Sequence, residues 1–177
     1  MSEAPRTTVL PKILIIGRSG VGKSLFGHLL ASQNSGWQSR SVSDVIIPKF
    51  AAAQRLDPAI VFERKSYYRK ALIGFAEPII REDPLVFVEE CLRIANIVSG
   101  LRHDYEVLRA REFVDQTVFI EGPQGMPEFD SYDISRATEH SCDIYIFNDK
   151  RDRSELNRFA QLAAWSISLS LLDYRAL

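Results

Sequence analysis

The sequence predicts an α/β fold in which helices cover both faces of a parallel sheet. Short apolar segments rich in β-branched residues alternate along the chain with longer segments of helical periodicity. A glycine-rich turn, 17–24, also lies directly between a strand-like run, Ile13–Ile16, and a helix-like run, Leu25–Leu30. Together the two observations predict a three-layer α/β/α arrangement with a five-stranded parallel sheet.

The glycine-rich turn matches the phosphate-binding pattern GxxxxGK[S/T]. Glycines permit the strained path that lets backbone N–H groups converge on a polyphosphate at the positive end of a helix. Lys23 is predicted to reach the outer phosphates of ATP, and the Ser24 hydroxyl to coordinate the Mg²⁺ that accompanies them. The predicted fold is therefore that of the P-loop NTPases, with a loop formed by Gly17, Arg18, Ser19, Gly20, Val21, Gly22, Lys23 and Ser24.

The segments after the first helix predict a second strand at 41–47, which ends at Pro48, and a short helix at 49–56. A helical stretch follows at 64–81, which Gly74 and Pro78 are expected to bend or divide. The next helix is predicted to begin at Asp83–Pro84.

The second half of the chain completes the alternation. The third, fourth and fifth strands are predicted at 94–99, 116–121 and 142–147, and two further helices at 105–112 and 154–174. We expect an N-terminal tail at 1–11 and one domain at 12–177, in which 49–93 is a helical acceptor-binding region and 122–141 a candidate lid.

Composition narrows the class of protein. A net charge of −1 over 177 residues gives no basic field for a nucleic-acid polymer, so a small charged ligand is favoured. No run approaches the ~18 apolar residues of a membrane span, and we expect a cytoplasmic protein without membrane contact. The closing helix is unusually apolar, which is compatible with a homodimer seam.

One motif separates GTPases from other classes of P-loop protein. A GTPase needs an Asn-Lys-x-Asp motif after a late strand, but residues 148–152 read Asn-Asp-Lys-Arg-Asp, which favours a small-molecule kinase.

Cationic side chains on or beside the 64–81 helix are candidates to hold an acceptor phosphate. Arg69 or Arg81 suits this role because guanidinium donates two parallel N–H groups, whereas Lys65 and Lys70 are assigned to a solvated face.

Besides the phosphate loop, five segments are informative: 44–49, 65–72, 80–88, 97–106 and 143–149. Together with the loop they resemble bacteriophage deoxynucleoside monophosphate kinases, and animal-type phosphomevalonate kinases show a similar arrangement. The likeness spans most of residues 12–160.

The resemblance implies transfer of the ATP γ-phosphate to a nucleoside or deoxynucleoside monophosphate, in the host cytoplasm if the gene belongs to a phage. It implies that Arg102 lies near the transferring phosphate and acts with Lys23 in catalysis, and that Asn148 lies beside the adenine. It also implies a substrate-binding set near the acceptor, formed by Asp44, Lys49, Arg69 and Arg81.

The sequence departs from this family at two places. Ser99 ends the third strand where the family usually carries an aspartate that helps to hold Mg²⁺ or its water. The candidate replacements are Asp44 and, through a metal-bound water, Ser99 itself. The candidate lid is acidic and has Arg136 as its only arginine. Two alternatives therefore stand beside the nucleotide kinase: a kinase for a non-nucleotide phosphate such as phosphomevalonate, and a nucleotide-binding regulatory protein with weak turnover.

Overall fold

A computed structural model describes residues 10–122, 142–149 and 153–173. Its sheet holds five parallel strands in the described part of the chain, in the order β2-β3-β1-β4-β5. This confirms the predicted parallel sheet. The strands are β1 (Ile13–Ile16), β2 (Ser39–Ser41), β3 (Ile97–Ser99), β4 (Gln116–Glu121) and β5 (Ile144–Phe147).

Helices follow β1, β2, β3 and β5 and lie on both faces of the sheet. Those that the structure describes are α1 (Lys23–Ala31), α2 (Val42–Gln54), α3 (Pro58–Glu63), α4 (Lys65–Glu82), α5 (Val86–Leu92), α6 (Asp104–Arg111) and α7 (Arg153–Asp173).

Strand β1 shows how the two faces are built. Ile13 and Ile15 belong to the core shared with α1 and α7, whereas Leu14 and Ile16 belong to the core shared with α2, α4, α5 and α6. All four side chains are at most 1% exposed. Because side chains alternate along a strand, this uninterrupted apolar run is covered on both sides, as in three-layer folds.

The predicted strand at 41–47 is wrong. Strand β2 ends at Ser41, and α2 begins at Val42 and continues through Pro48. The Ser41 N–H donates to Asp44 Oδ2 at 2.9 Å, which caps the helix start. A short β-branched run such as 45–47 fits either structure by periodicity alone, and here the cap and the helically spaced buried residues Ile47 and Phe50 decide for helix.

Three other predicted elements differ from the structure. The expected short helix at 49–56 is the end of α2, and α4 runs unbroken past Gly74 and Pro78. The third strand begins at Ile97 rather than at residue 94. The predicted lid, apart from Gly122 at its start, lies outside the described residues.

A third core cluster joins α2, α3 and α4 away from the sheet. It contains Ile47, Phe50, Ala51, Val61 and Leu72, which are all at most 5% exposed. These contacts fix α4 against α2, and the space between these two helices forms part of the site described below.

Helix α7 presents two different faces. Leu156, Ala160 and Ile167 pack into the core with α1, whereas Leu162 and Trp165 are 61% and 66% exposed. The homodimer remains a prediction. Within the described residues, no helix combines the length and the apolarity that a membrane crossing requires.

Candidate functional site

The candidate site lies where the chain changes direction across the sheet. Strand β1 pairs with β3 on one side and with β4 on the other, so the loops that leave β1 and β3 open beside each other at the carboxyl ends of the strands. Open α/β sheets bind ligands at such a switch point. Here it brings the segments 17–22 and 100–103 together.

The P-loop (residues 17–24) owes its shape to glycines with left-handed backbone. Gly17, Gly20 and Gly22 have φ of 143°, 78° and 97°. A Cβ atom on Gly17 would lie 2.2 Å from the carbonyl oxygen of Ile120 in β4. Only glycine fits there, because any larger residue would push the loop away from the sheet.

Lys23 and Ser24 begin α1 at the end of this loop. The Lys23 ammonium donates to the carbonyl oxygens of Gly17 at 2.7 Å and Arg18 at 2.6 Å, so it lies over the loop it belongs to. Both residues line a cavity of about 360 Å³, which we call the P-loop cavity. Its position at the start of α1 is suited to an anion, because backbone N–H groups at a helix start have no intrahelical acceptor.

Asn148 holds the outer side of the P-loop. Its Nδ2 donates to the Val21 carbonyl at 2.7 Å, and its own N–H donates to the Glu121 carbonyl at 2.7 Å. The side chain is buried and is absent from the lining of the P-loop cavity. The structure therefore gives Asn148 a loop-holding contact, and the adenine contact implied by the resemblance stays a prediction.

A second cavity, of about 510 Å³, adjoins the first and lies against α2, α4 and the loop after β3. We call it the α4 cavity. Its wall is largely apolar, with Ile47, Leu72, Ile73 and Ile80. Three cationic residues, Lys65, Arg69 and Arg102, line both cavities, and we call the place where they meet the cationic junction.

Arg69 and Lys65 are held by hydroxyl groups at this junction. Arg69 Nη2 donates to Ser19 Oγ in the P-loop at 2.7 Å, and Lys65 Nζ donates to Ser43 Oγ in α2 at 2.6 Å. Burial lowers the pKa of Lys65, with smaller contributions in the same direction from the Arg102 and Arg69 charges and an opposing one from Asp44. An anion placed here would offset the mutual repulsion of these cations.

Sequence reasoning assigned Lys65 to a solvated face, and the structure corrects that assignment. Lys65 is only partly exposed and reaches the junction of the cavities. The signal was present in the spacing, because residues four apart on a helix lie on one face, and Lys65 precedes Arg69 by four.

Arg102 sits on a short loop that two features fix. Gly100 has φ of 103°, and a Cβ there would lie 2.7 Å from Ser41 Oγ, so the loop passes close to β2. One carboxylate oxygen of Glu106 accepts from the N–H groups of Arg102 at 3.1 Å and His103 at 2.9 Å. Glu106 is 2% exposed, and burial raises its pKa, although these bonds and the Arg102 charge oppose the shift.

The residues around the P-loop cavity suit a nucleotide that carries its own metal ion. Among the described residues, the lining of this cavity contains no aspartate or glutamate, and no group of three or more His, Cys, Asp and Glu residues could hold a metal. Ser24 offers a hydroxyl oxygen. Mg²⁺ is commonly held by substrate phosphates, water and one or two protein oxygens, so the residues present fit Mg²⁺ bound with ATP.

The two candidate replacements for the aspartate that the resemblance implies are placed differently. Asp44 Oδ2 accepts the cap bond at the start of α2. Ser99, at the end of β3, is 1% exposed, and its Oγ has no hydrogen-bond partner within the described structure. Neither residue belongs to the lining of the P-loop cavity.

Lys49 and Arg81 lie apart from the cationic junction. Lys49 forms a salt bridge with Glu90 at 3.0 Å, and Arg81 donates to Glu77 Oε1 one helical turn earlier. Neither cation lines either cavity, but Glu77 lines the α4 cavity. Their contact with an acceptor phosphate stays a prediction.

The comparisons with known proteins identify no family. No protein-family model matches the chain, and no curated protein matches it. Among solved structures, a shikimate kinase from Aquifex aeolicus is similar at 18% identity, with a TM-score of 0.45, over 89% of this chain and 98% of that one. A likeness this distant does not bear on the substrate, and the fold assignment rests on the sheet order and the P-loop described above.

Proposed function

We propose that the protein is an ATP-dependent kinase that phosphorylates a nucleoside or deoxynucleoside monophosphate. The observation that carries this proposal is the junction of the two cavities, where Lys65, Arg69 and Arg102 line both the P-loop cavity and the α4 cavity. Two phosphate-bearing ligands, one in each cavity, would meet at these three cations. A phosphotransferase needs this arrangement, because donor and acceptor phosphates repel each other unless positive charge is placed between them.

On the donor side, the P-loop backbone binds the phosphates of ATP. Lys23 exchanges its bonds to the Gly17 and Arg18 carbonyls for phosphate oxygens, so its charge moves onto the ligand. Ser24 would hold Mg²⁺, which neutralises charge on the phosphates when bound.

On the acceptor side, Arg69 and Arg102 orient the accepting phosphate and stabilise the charge that develops during transfer. The bond of Arg69 to Ser19 ties this acceptor-holding side chain to the P-loop itself. Little covalent chemistry is asked of the protein, since phosphoryl transfer depends mainly on alignment and electrostatic stabilisation.

The test is a coupled ADP-release assay with Mg-ATP and each common ribo- and deoxyribonucleoside monophosphate in turn. We expect at least one monophosphate to stimulate turnover, and Lys23→Ala to reduce it by about a hundredfold or more. Lys70→Ala is the matched control, because Lys70 is an exposed lysine on α4 that lines neither cavity.

Turnover that survives Lys23→Ala would refute the assignment of the P-loop. Stimulation by a non-nucleotide phosphate such as phosphomevalonate, with none by nucleotides, would keep the kinase chemistry and change the acceptor.

A second candidate function is a nucleotide-binding regulatory protein with weak turnover. The observation that favours it is Ser99 in place of an aspartate, together with the use of Asp44 as a helix cap. ATP binding by calorimetry without turnover on any phosphate acceptor would favour this candidate.

A further inference from the structure

Helix α4 carries a polarity gradient along the side that faces the α4 cavity. Lys65, Arg69, Ile73 and Glu77 follow one another at four-residue steps, and all four line this cavity. Residues four apart share a helix face. From Lys65 to Glu77, this wall of the cavity therefore presents two cations, an apolar side chain and a carboxylate.

The two ends of this gradient lie at different distances from the P-loop. Lys65 and Arg69 also line the P-loop cavity, whereas Glu77 and His103 line only the α4 cavity. With a rise of 1.5 Å per residue, Arg69 and Glu77 are separated by about 12 Å along the helix axis. A ligand whose phosphate lies at Arg69 thus has room for a body of nucleoside size before it reaches Glu77.

The chemistry at the far end selects hydrogen-bond donors. An ionised carboxylate only accepts hydrogen bonds, and Arg81 orients the Glu77 side chain by donating to Oε1. His103 lies close enough for the Glu77 charge to act on it. Burial nevertheless lowers the pKa of His103, which favours the neutral imidazole, the form in which one ring nitrogen carries a proton.

We propose that Glu77 is a specificity-determining residue that recognises the donor edge of guanine in the acceptor nucleotide. This inference rests on the proposed function. Among the common bases, only guanine presents two adjacent donors, N1–H and the 2-amino group, which match the two oxygens of a carboxylate. Its neighbouring O6 accepts a hydrogen bond, which His103 can donate. Thymine and uracil flank their single N–H with carbonyl oxygens, which a carboxylate repels.

The experiment compares kcat/KM for GMP, inosine monophosphate and xanthosine monophosphate with saturating Mg-ATP. Inosine lacks the 2-amino group, and xanthosine replaces it with a carbonyl oxygen. We expect GMP to exceed inosine monophosphate by about tenfold and xanthosine monophosphate by more, because a missing donor leaves the carboxylate unpaired and an added oxygen repels it.

Glu77→Gln is the informative variant. We expect it to lower kcat/KM for GMP by roughly tenfold to a hundredfold and to raise kcat/KM for xanthosine monophosphate, because an amide can donate to the 2-carbonyl. The KM for ATP should stay the same. Glu82→Gln is the control, since Glu82 is an exposed carboxylate on α4 that lines neither cavity.

The outcomes separate this inference from the proposed function. Phosphorylation of nucleotides with no preference for GMP, or an equal loss on all three acceptors in Glu77→Gln, would overturn the inference and leave the kinase. No phosphorylation of any nucleoside monophosphate would overturn both. The ratio among the three acceptors in the unaltered protein tests the inference even if the variant fails to fold.

Discussion

The P-loop cavity and the α4 cavity share a wall but are built in different ways. Seven of the eight P-loop residues line the P-loop cavity, and the glycines and backbone N–H groups of the loop set the shape of this side of it. The α4 cavity is assembled from side chains of α2, α4 and the loop after β3, which are distant in sequence. Local backbone geometry therefore forms the P-loop side of the first cavity, whereas the wall that the two cavities share and the rest of the α4 cavity depend on tertiary packing.

This difference predicts how each cavity responds to substitution. Where backbone conformation forms the binding surface, a substitution that makes this conformation inaccessible abolishes the binding of every ligand there. A side-chain-built site loses contacts one at a time, so its specificity can change while the fold persists.

Among the substitutions that test this comparison, we expect Gly17→Ala to have the largest effect. A Cβ at this position would lie 2.2 Å from the Ile120 carbonyl oxygen at a φ of 143°, so the loop must move off the sheet. We expect loss of ATP binding by calorimetry and a free energy of unfolding lower by about 1–3 kcal/mol.

Gly74→Ala is the matched control. Gly74 lies in α4 where an added Cβ meets no atom within 4 Å, so alanine should stabilise the helix by roughly 0.5–1 kcal/mol. Equal behaviour of the two variants in thermal unfolding would break the claim that backbone geometry defines the P-loop cavity.

The next largest effect is expected from a substitution at the cationic junction. Arg69→Ala removes a charged donor that lines both cavities and bonds to Ser19. We expect kcat/KM for the acceptor to fall by roughly tenfold to a hundredfold, the range that hydrogen bonds to charged groups contribute. Steady-state kinetics with the acceptor varied measures this directly.

Substitutions of Lys49 and Arg81 provide a comparison for the effect of Arg69→Ala. Arg81→Ala should raise the acceptor KM by less than Arg69→Ala and leave ATP binding nearly intact, since Arg81 contacts Glu77 rather than the junction. Lys49→Ala should change little, because its salt bridge with Glu90 is outside both cavities. A loss at Lys49 equal to that at Arg69 would instead support the predicted contact of Lys49 with the acceptor phosphate.

The smallest effect is a pH dependence of stability from Glu106. Its pKa is raised by burial above the ordinary value of 4.5, so the folded state binds this proton more tightly than the unfolded state does. The contribution of Glu106 to the free energy of unfolding is therefore fully present below pH 4.5 and is lost as pH rises through the raised pKa of this group.

Glu106→Gln keeps an oxygen that can accept from the Arg102 and His103 N–H groups but cannot ionise. Relative to the unaltered protein, we expect the variant to gain stability as pH rises above 4.5, measured by urea unfolding at several pH values. A difference in the free energy of unfolding that stays constant across this range would contradict the shift.

Local signals in the sequence predicted much of the fold. Strands β1 and β4 lie at the predicted residues, and the P-loop was identified with its flanking strand and helix. The error at 41–47 arose because three apolar β-branched residues suit a strand, whereas the helix there depends on the Asp44 cap and on packing against α4 and α5.

The α4 cavity was less predictable, for a physical reason. The sequence marks the cations of 64–81 as candidates for phosphate binding, but which of them line a cavity depends on where α4 packs. Packing turned Lys65 and Arg69 toward the P-loop and left Arg81 beside Glu77.

The sequence by itself determined the P-loop, because that site is a property of eight consecutive residues and the strand and helix that flank them. Only the tertiary structure decided that Lys65, Arg69 and Arg102 meet between two cavities, and that Glu77 lies at the far end of one. The four-residue spacing places Lys65, Arg69 and Glu77 on one face of α4. What that face meets depends on how α4 and the loop after β3 pack against α2, and contacts between segments so distant in the chain leave no motif from which they can be predicted.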